Sequence, residues 1–357
     1  MAPRTLKVGC AGAGRMGKRH AMNLLHRAPR SDLVAILSPD AEERKWAKNE
    51  LEPYGVVIYD NYDAMLQHAG LEAVLIATIT TVHAEQAIKA IEAGKHVLCE
   101  KPLSTSASIS QSIVDAASQK PELKVMCGFS RRFDTSYRDA WVKMDAGLIG
   151  HVSIIRSQTC DKIDPTGTFI SFAATSGGIF CDCSVHDIDL VLWFFGPQSK
   201  VKSVVASGVT TLHPELQKYK DADNAVGIIE FHDSRIAYIF CSRMMAAGQE
   251  DTMEIIGTKG KLTVNSQAQR NLVSIFDSTG SRRELPAHYY ERFETAFVDE
   301  VNEFAACCLD DTTLPMRLDG AVEAVKIARA LQDSLVTGDR IWFDGRGERC
   351  EKMSVIQ

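Results

Sequence analysis

The chain has 357 residues, 45% of them hydrophobic and 24% charged, with a formal net charge of −6. That length allows two domains of ordinary size, and the acidic balance gives no basic face for nucleic acid or for an anionic membrane. No apolar run approaches the ~20 residues of a membrane span.

MAPRTLKVGC passes straight into a strand-like segment and leaves no room for a signal peptide, so the expected compartment is the cytoplasm. The ten cysteines contain no CxxC pair and read as reduced thiols, with no metal site expected.

Residues 6–128 alternate short apolar runs with amphipathic stretches. Strands are expected at Leu6–Ala11, Leu33–Leu37, Val56–Tyr59, Ala73–Ala77, His96–Glu100 and Lys124–Gly128. Helices are expected at Arg15–Ala28, Ala41–Glu50, Tyr62–His68, His83–Ala93 and Ser106–Ser118. This rhythm implies parallel strands joined by helical crossovers, a doubly wound α/β sheet over residues 1–128.

At the end of the first strand lies Gly12-Ala-Gly14-Arg15-Met16-Gly17, a GxGxxG loop that opens a helix. In that context Gly12 permits the turn, Gly14 admits a pyrophosphate and Gly17 lets helix and strand close up. The helix start then offers donors and a partial positive charge to the phosphates.

The second strand ends at Ser38, where a carboxylate would read the ribose of NAD. Its absence leaves NADP open. Asp40, Glu42 and Glu43 precede or adjoin the first basic residue, Arg44, and favour NAD. Ligands bind at the carboxyl ends of strands in such sheets, which puts Thr78, Glu100 and Lys101 beside the cofactor, with His83 packed near the same loop. His20 reads as a helix-face residue.

After residue 128 the pattern changes. RRFDTSYRDAWVKMDAG reads as a helix. Strands follow at Val152–Thr159, Val201–Val209, Ala225–Phe231, Arg235–Arg243, Met253–Ile256, Lys261–Val264 and Leu272–Phe276, then helices at Phe293–Cys308 and Asp319–Leu335. This predicts a second α/β domain over 129–357 with an open, mostly antiparallel sheet. Such a sheet would leave one apolar face bare in a monomer, so a homo-oligomer, dimer or tetramer, is expected.

Within GGIFCDCSVHDIDLVLWFFG, a helix turning about 100° per residue would bring Asp182, His186 and Asp189 onto one narrow wedge, with Asp187 pointing away. Carboxylates and an imidazole among apolar neighbours are costly unless paired. A proton-transfer site and a structural Asp–His pair both satisfy that demand.

The stretch IATITTVHAEQAIKAIEAGKHVLCEKPLS resembles the signature of the Gfo/Idh/MocA family of sugar-type oxidoreductases. GFSRRFDTSYRDAW, SGGIFCDCSVHDIDLVLWFFG and GTKGKL extend the resemblance over nearly the whole chain. It implies an N-terminal Rossmann domain and a C-terminal α/β domain with an open sheet.

Within the family the chain looks most like inositol 2-dehydrogenases, whose catalytic lysine matches Lys101 and whose Asp-x-x-x-His motif matches Asp182 and His186. Their substrate-side aspartate matches Asp189. Arg131 and Asp164 are candidates for the substrate rim.

The implied reaction is NAD(P)-dependent oxidation of a cyclic polyol, myo-inositol first, to the 2-keto compound. His186 would be the base, Asp182 its orienting partner and Lys101 a donor to the reacting oxygen. One departure concerns Ala247-Gly248-Gln249-Glu250-Asp251-Thr252, where many inositol dehydrogenases have tyrosines in a segment like YGYDQR. It motivates a second reading, another sugar or inositol isomer. A third reading is a non-catalytic dinucleotide sensor, which would have no reason to keep all four of Lys101, Asp182, His186 and Asp189.

Overall fold

A computed structural model describes residues 4–167 and 169–351. The strand–helix rhythm of the first third forms a six-stranded parallel sheet of β1 (Leu6–Ala11), β2 (Ser31–Leu37), β3 (Val57–Tyr59), β4 (Ala73–Ile76), β5 (His96–Glu100) and β6 (Val125–Gly128). The crossovers carry α1 (Arg15–His26), α2 (Ala41–Glu50), α3 (Tyr62–Leu66), α4 (His83–Glu92) and α5 (Ala107–Ser118).

The order β3-β2-β1-β4-β5-β6 reverses direction between β1 and β4, which opens a crevice at the carboxyl ends of those strands. Every residue of β4 and β6 is buried, as expected of parallel strands covered on both faces.

Beyond β6 come α6 (Thr135–Asp145), β7 (Val152–Lys162), and the short helices α7 (Ile170–Ala173) and α8 (Ile179–Asp182), then α9 (Val185–Phe195). Asp134 caps α6, its Oδ1 accepting from the Ser136 and Tyr137 N–H groups.

The remaining strands are β8 (Val201–Val209), β9 (Asn224–Phe231), β10 (Ile236–Met245), β11 (Glu250–Gly257), β12 (Gly260–Val264), β13 (Ser274–Asp277) and β14 (Gly280–Arg283). Helices α10 (Tyr289–Asp310) and α11 (Leu318–Thr337) and strands β15 (Ile341–Phe343) and β16 (Arg349–Cys350) close the described chain. The second sheet has the order β12-β11-β7-β10-β9-β8-β15-β16. Its ladders are antiparallel except for β7 with β10.

Two details differ from the sequence reading. The apolar run around Phe276 does not join the large sheet. Its strand β13 pairs only with β14, and Leu272 and Phe276 are exposed. The edge is instead completed by β15 and β16, which are too short to show strand periodicity.

By contacts the chain divides into two compact units, Met1–Phe133 with Thr295–Glu323 and Asp134–Glu294 with Ala324–Gln357. The expected boundary at 128 therefore moves to Phe133, and a helical segment placed in the second domain belongs to the first unit. Its apolar stripe explains why, since Phe297, Val301, Phe304 and Ala305 are buried at helical spacing. Arg30 with Asp310 and Lys124 with Asp311 tie the end of α10 to the strands of that unit. The crossing point is marked by a kink at Phe293 (φ −115°, ψ 17°).

In the second unit, strand burial alternates along β9 and β10. The buried face packs against α9 and the later part of α11. Gly227 leaves the space into which Leu331 and Phe180 press, since a Cβ there would lie 2.8 Å from the leucine. Asp187 fastens α9 to β7. It is fully buried and accepts hydrogen bonds from Ser157 Oγ and Thr159 Oγ1, both at 2.6 Å.

No helix among the described residues is long and apolar enough to cross a membrane.

Removing the Asp187 carboxylate strands two buried hydroxyls. Asp187→Ala should cost about 2–4 kcal/mol in urea denaturation, because the loss is that of satisfied buried donors and not of one surface contact.

Candidate active site

The glycine loop is set by contact distances. Gly12 sits at φ +105°, and a Cβ on it would lie 2.5 Å from the Ala77 carbonyl oxygen. A Cβ on Gly17 would lie 2.0 Å from the Gly12 oxygen, so the first turn of α1 closes on the strand only with glycine there.

Gly14 is the cap of α1 and supplies no side-chain acceptor. The start of this 12-residue helix, with Arg15 and Met16 in its first turn, is left suited to a phosphate. The residues present thus fit a dinucleotide pyrophosphate.

At the end of β2, Ser38 is almost fully buried, and its hydroxyl donates to Glu43 Oε2 at 2.5 Å. After β4, the Thr78 hydroxyl donates to Gln86 Oε1 at 2.7 Å. His83 lies beneath that loop, its Nδ1 2.9 Å from the Pro102 carbonyl and its Nε2 3.2 Å from the Thr78 carbonyl. Burial lowers its pKa, against the opposing pull of those two carbonyls, and the ring bridges the two strand-end loops.

Glu100 and Lys101 follow β5, and Lys101 N–H donates to Glu100 Oε2 at 3.1 Å. Arg131 is buried in the helical turn Ser130–Phe133.

His20, expected on a helix face, instead points inward and joins a carboxylate cluster. Its Nε2 lies 2.7 Å from Glu100 Oε1, with Phe297 edge-on at 5.8 Å. Burial raises the Glu100 carboxyl, but the His20 hydrogen bond and neighbouring positive charge outweigh it and hold the group below its usual range.

Glu300, on α10, is fully buried, and neither of its carboxyl oxygens has a hydrogen-bond partner. Burial first, and then the charge of Glu100, push its pKa well above the ordinary carboxylate value. Both influences favour the protonated form of Glu300, which lies on the buried face of α10. No sequence pattern singled it out, because a glutamate in an amphipathic helix reads as surface.

In the second unit the expected single helix through Asp182 and His186 is interrupted. Asp182 ends α8, Cys183 and Ser184 form a bend, and His186 lies in the first turn of α9. Asp182 Oδ2 accepts from Arg243 Nη2 at 3.0 Å. Arg243, 4% exposed, also reaches Asp221 Oδ2 at 3.3 Å and the Ala222 carbonyl, with its guanidinium over the Phe169 ring.

The sequence reading missed Arg243. The available signal was an arginine near the end of a mostly apolar strand, IAYIFCSRMM.

Asp189, 2% exposed, lies on α9 below His186, which is half-buried. Asp164 accepts from the Thr166 N–H and hydroxyl in the turn after β7. In the departing segment 247–252, Gln249 is buried and donates to Asp161 Oδ1 at 2.9 Å. Gly248, at φ +150°, leaves no room for a side chain, since a Cβ would lie 2.6 Å from Pro286 O.

Among the described residues, no cluster of His, Cys, Asp and Glu could hold a metal ion.

One unit carries a parallel sheet with a pyrophosphate loop and the other a polar, partly buried Asp/His/Asp set, the features of a dinucleotide-dependent oxidoreductase. Residues 6–129 match the oxidoreductase family with an NAD-binding Rossmann fold, Gfo/Idh/MocA, and residues 137–263 match the C-terminal domain of that family. The chain belongs to the Gfo/Idh/MocA oxidoreductases.

It is 35% identical to the scyllo-inositol 2-dehydrogenase (NAD(+)) of Bacillus subtilis over 86% of this chain and 88% of that protein. The scyllo-inositol dehydrogenase of Lactobacillus casei, solved with bound NAD(H) and scyllo-inositol, superposes with a TM-score of 0.90 at 34% identity, over 95% of this chain and 99% of that one. The myo-inositol 2-dehydrogenase of Lactobacillus plantarum gives a TM-score of 0.90 at 32% identity, over 96% and 100%.

The neutral state of Glu300 gives a pH-dependent test. A carboxyl whose folded pKa is raised stabilises fully below its unfolded value, near 4.5, and loses that contribution as pH rises toward the folded value. Glu300→Gln keeps the shape without the titration. Its melting temperature should therefore gain on wild type as pH rises from 5 to 9, and a gap that stays constant across that range would contradict the assignment.

Proposed function

We propose that the protein is an NAD-dependent inositol dehydrogenase that oxidises a ring CH–OH to the ketone. The observation that carries this reading is one chain holding both a fitted pyrophosphate loop and the complete set Lys101, Asp182, His186 and Asp189. A non-catalytic sensor needs only the first of these.

Bound nicotinamide supplies the acceptor for the hydride that leaves the ring carbon. The protein then has to take up one proton and hold one oxygen. His186 accepts the hydroxyl proton, since imidazole exchanges protons near neutrality. Asp182, with Oδ2 fixed by Arg243, orients the imidazole and balances its positive charge. Lys101 donates to the same substrate oxygen and stabilises the negative charge that develops on it. Asp189 accepts from a further ring hydroxyl, and Asp164 and Arg131 lie at the rim of the substrate.

Oxidation of myo-inositol at C2 removes the one stereocentre by which it differs from scyllo-inositol. Both isomers therefore yield the same ketone, and specificity reduces to which face presents the C–H. One observation favours scyllo-inositol as an accepted substrate, namely the 34–35% identity to enzymes named for it.

The reading includes a homo-oligomer, whose contact would cover the sheet face bearing the part-exposed Ile154, Ile228 and Ile236. It also includes a cytoplasmic location, in keeping with ten free thiols.

Lys101→Ala and His186→Ala should each lower kcat with NAD and either inositol by about 10²–10⁴-fold, with NADH binding retained. Near-wild-type turnover in both variants would falsify the mechanism. Activity of the wild type on a different sugar, with none on either inositol, would favour the second substrate reading.

A further inference from the structure

The end of β2 lacks the carboxylate that reads the adenosine ribose in this fold, yet a carboxylate reaches that place from another element. Asp40 is the N-cap of α2, its Oδ1 accepting from the Glu43 N–H at 2.9 Å. Glu43 is therefore the third residue of the helix. In a capping box that residue's side chain folds back onto the N–H of the cap.

Here the Asp40 N–H is already taken by Ser38 Oγ at 3.1 Å. The Glu43 carboxylate is thereby diverted. Ser38 Oγ–H donates to Oε2 at 2.5 Å, and Oε1 lies 3.3 Å from where a Cβ on Gly14 would stand. The carboxylate thus sits between the end of β2 and the second glycine of the phosphate loop.

We infer that Glu43 is the residue that binds the adenosine ribose 2′-hydroxyl and sets the preference for NAD over NADP. This rests on the reading that the loop binds a dinucleotide, and it is independent of the polyol.

Oε2 is engaged by Ser38, and Oε1 faces the loop as a charged acceptor for a hydroxyl. A 2′-phosphate would meet the same carboxylate as a like charge. Two of the basic side chains nearby are engaged elsewhere. Arg44 Nη1 donates to the Ser38 and Pro39 carbonyls, and Lys18 Nζ stands over the Trp46 ring at 5.0 Å. Ser38 is a positioning residue in this arrangement, since its single hydroxyl both accepts from the cap and aims the carboxylate.

The test is equilibrium binding, read by fluorescence of the reduced cofactor, for the full chain without substrate. The probes are NADH, NADPH and the NADH analogue with 2′-deoxyadenosine. Wild type should bind the deoxy analogue about 10- to 100-fold more weakly than NADH, the range of a hydrogen bond to a charged group, and NADPH more weakly still.

In Glu43→Gln, NADH should weaken about tenfold, the penalty for deleting the 2′-hydroxyl should shrink, and the gap to NADPH should narrow. Ser38→Ala should move all three quantities the same way by a smaller factor.

Three outcomes would overturn the assignment. The first is wild type binding the deoxy analogue as tightly as NADH, a measurement that needs no variant to fold. The second is Glu43→Gln binding NADH like wild type. The third is Glu43→Gln weakening all three probes equally, the sign of a purely structural role. Because no turnover is read, loss of the polyol reading would leave this result untouched.

Discussion

A charge taken out of water must be matched by a charge or a set of donors, and most of the functional geometry here follows from that constraint. Arg243 is the clearest case. A guanidinium with 4% exposure is held between Asp182 and Asp221 and a backbone carbonyl. Because the arginine is anchored in β10, the aspartate that ends α8 is anchored with it. Asp187 obeys the same rule with hydroxyls in place of a cation. Two aspartates close in sequence are thus immobilised by different means. One is tied to a strand-end arginine and the other to the strand that α9 covers.

The first unit contains the opposite solution. Glu300 has no hydrogen-bond partner at either oxygen, so burial favours its protonated form. Glu100 nearby is held ionised by His20. Two carboxyls in one buried region are driven apart in pKa by their surroundings, one with a partner and one without. Glu100 directly precedes Lys101 and accepts from its N–H. The electrostatic state of this cluster is therefore bound up with the backbone that presents the lysine.

The parallel sheet and its loop were legible because each depends on short-range rules. Apolar runs of strand length, amphipathic spacers and glycines at fixed offsets all lie within a few residues of one another. The Asp182, His186 and Asp189 set was legible as composition, while the turn at Cys183 and Ser184 that interrupts its single helix leaves no mark on helical periodicity. Arg243 and Glu300 were illegible for a common reason. Their roles are fixed by partners far along the chain, Asp182 across 61 residues in one case and the Glu100 charge in the other. The fate of α10 was hidden likewise, since an amphipathic helix announces that it will be covered without saying by what.

The ribose end shows how a motif can fail by position and hold by chemistry. Read strictly, Ser38 in place of an acid removes the signal for NAD. Its hydroxyl, however, occupies the cap N–H of α2 and leaves the glutamate of a capping sequence with no local partner. That glutamate accepts from the same serine, and its second oxygen comes to rest against the phosphate loop. On the proposed reading, the carboxylate missing at the end of β2 is supplied by the third residue of the following helix, and its charge stands beside Gly14.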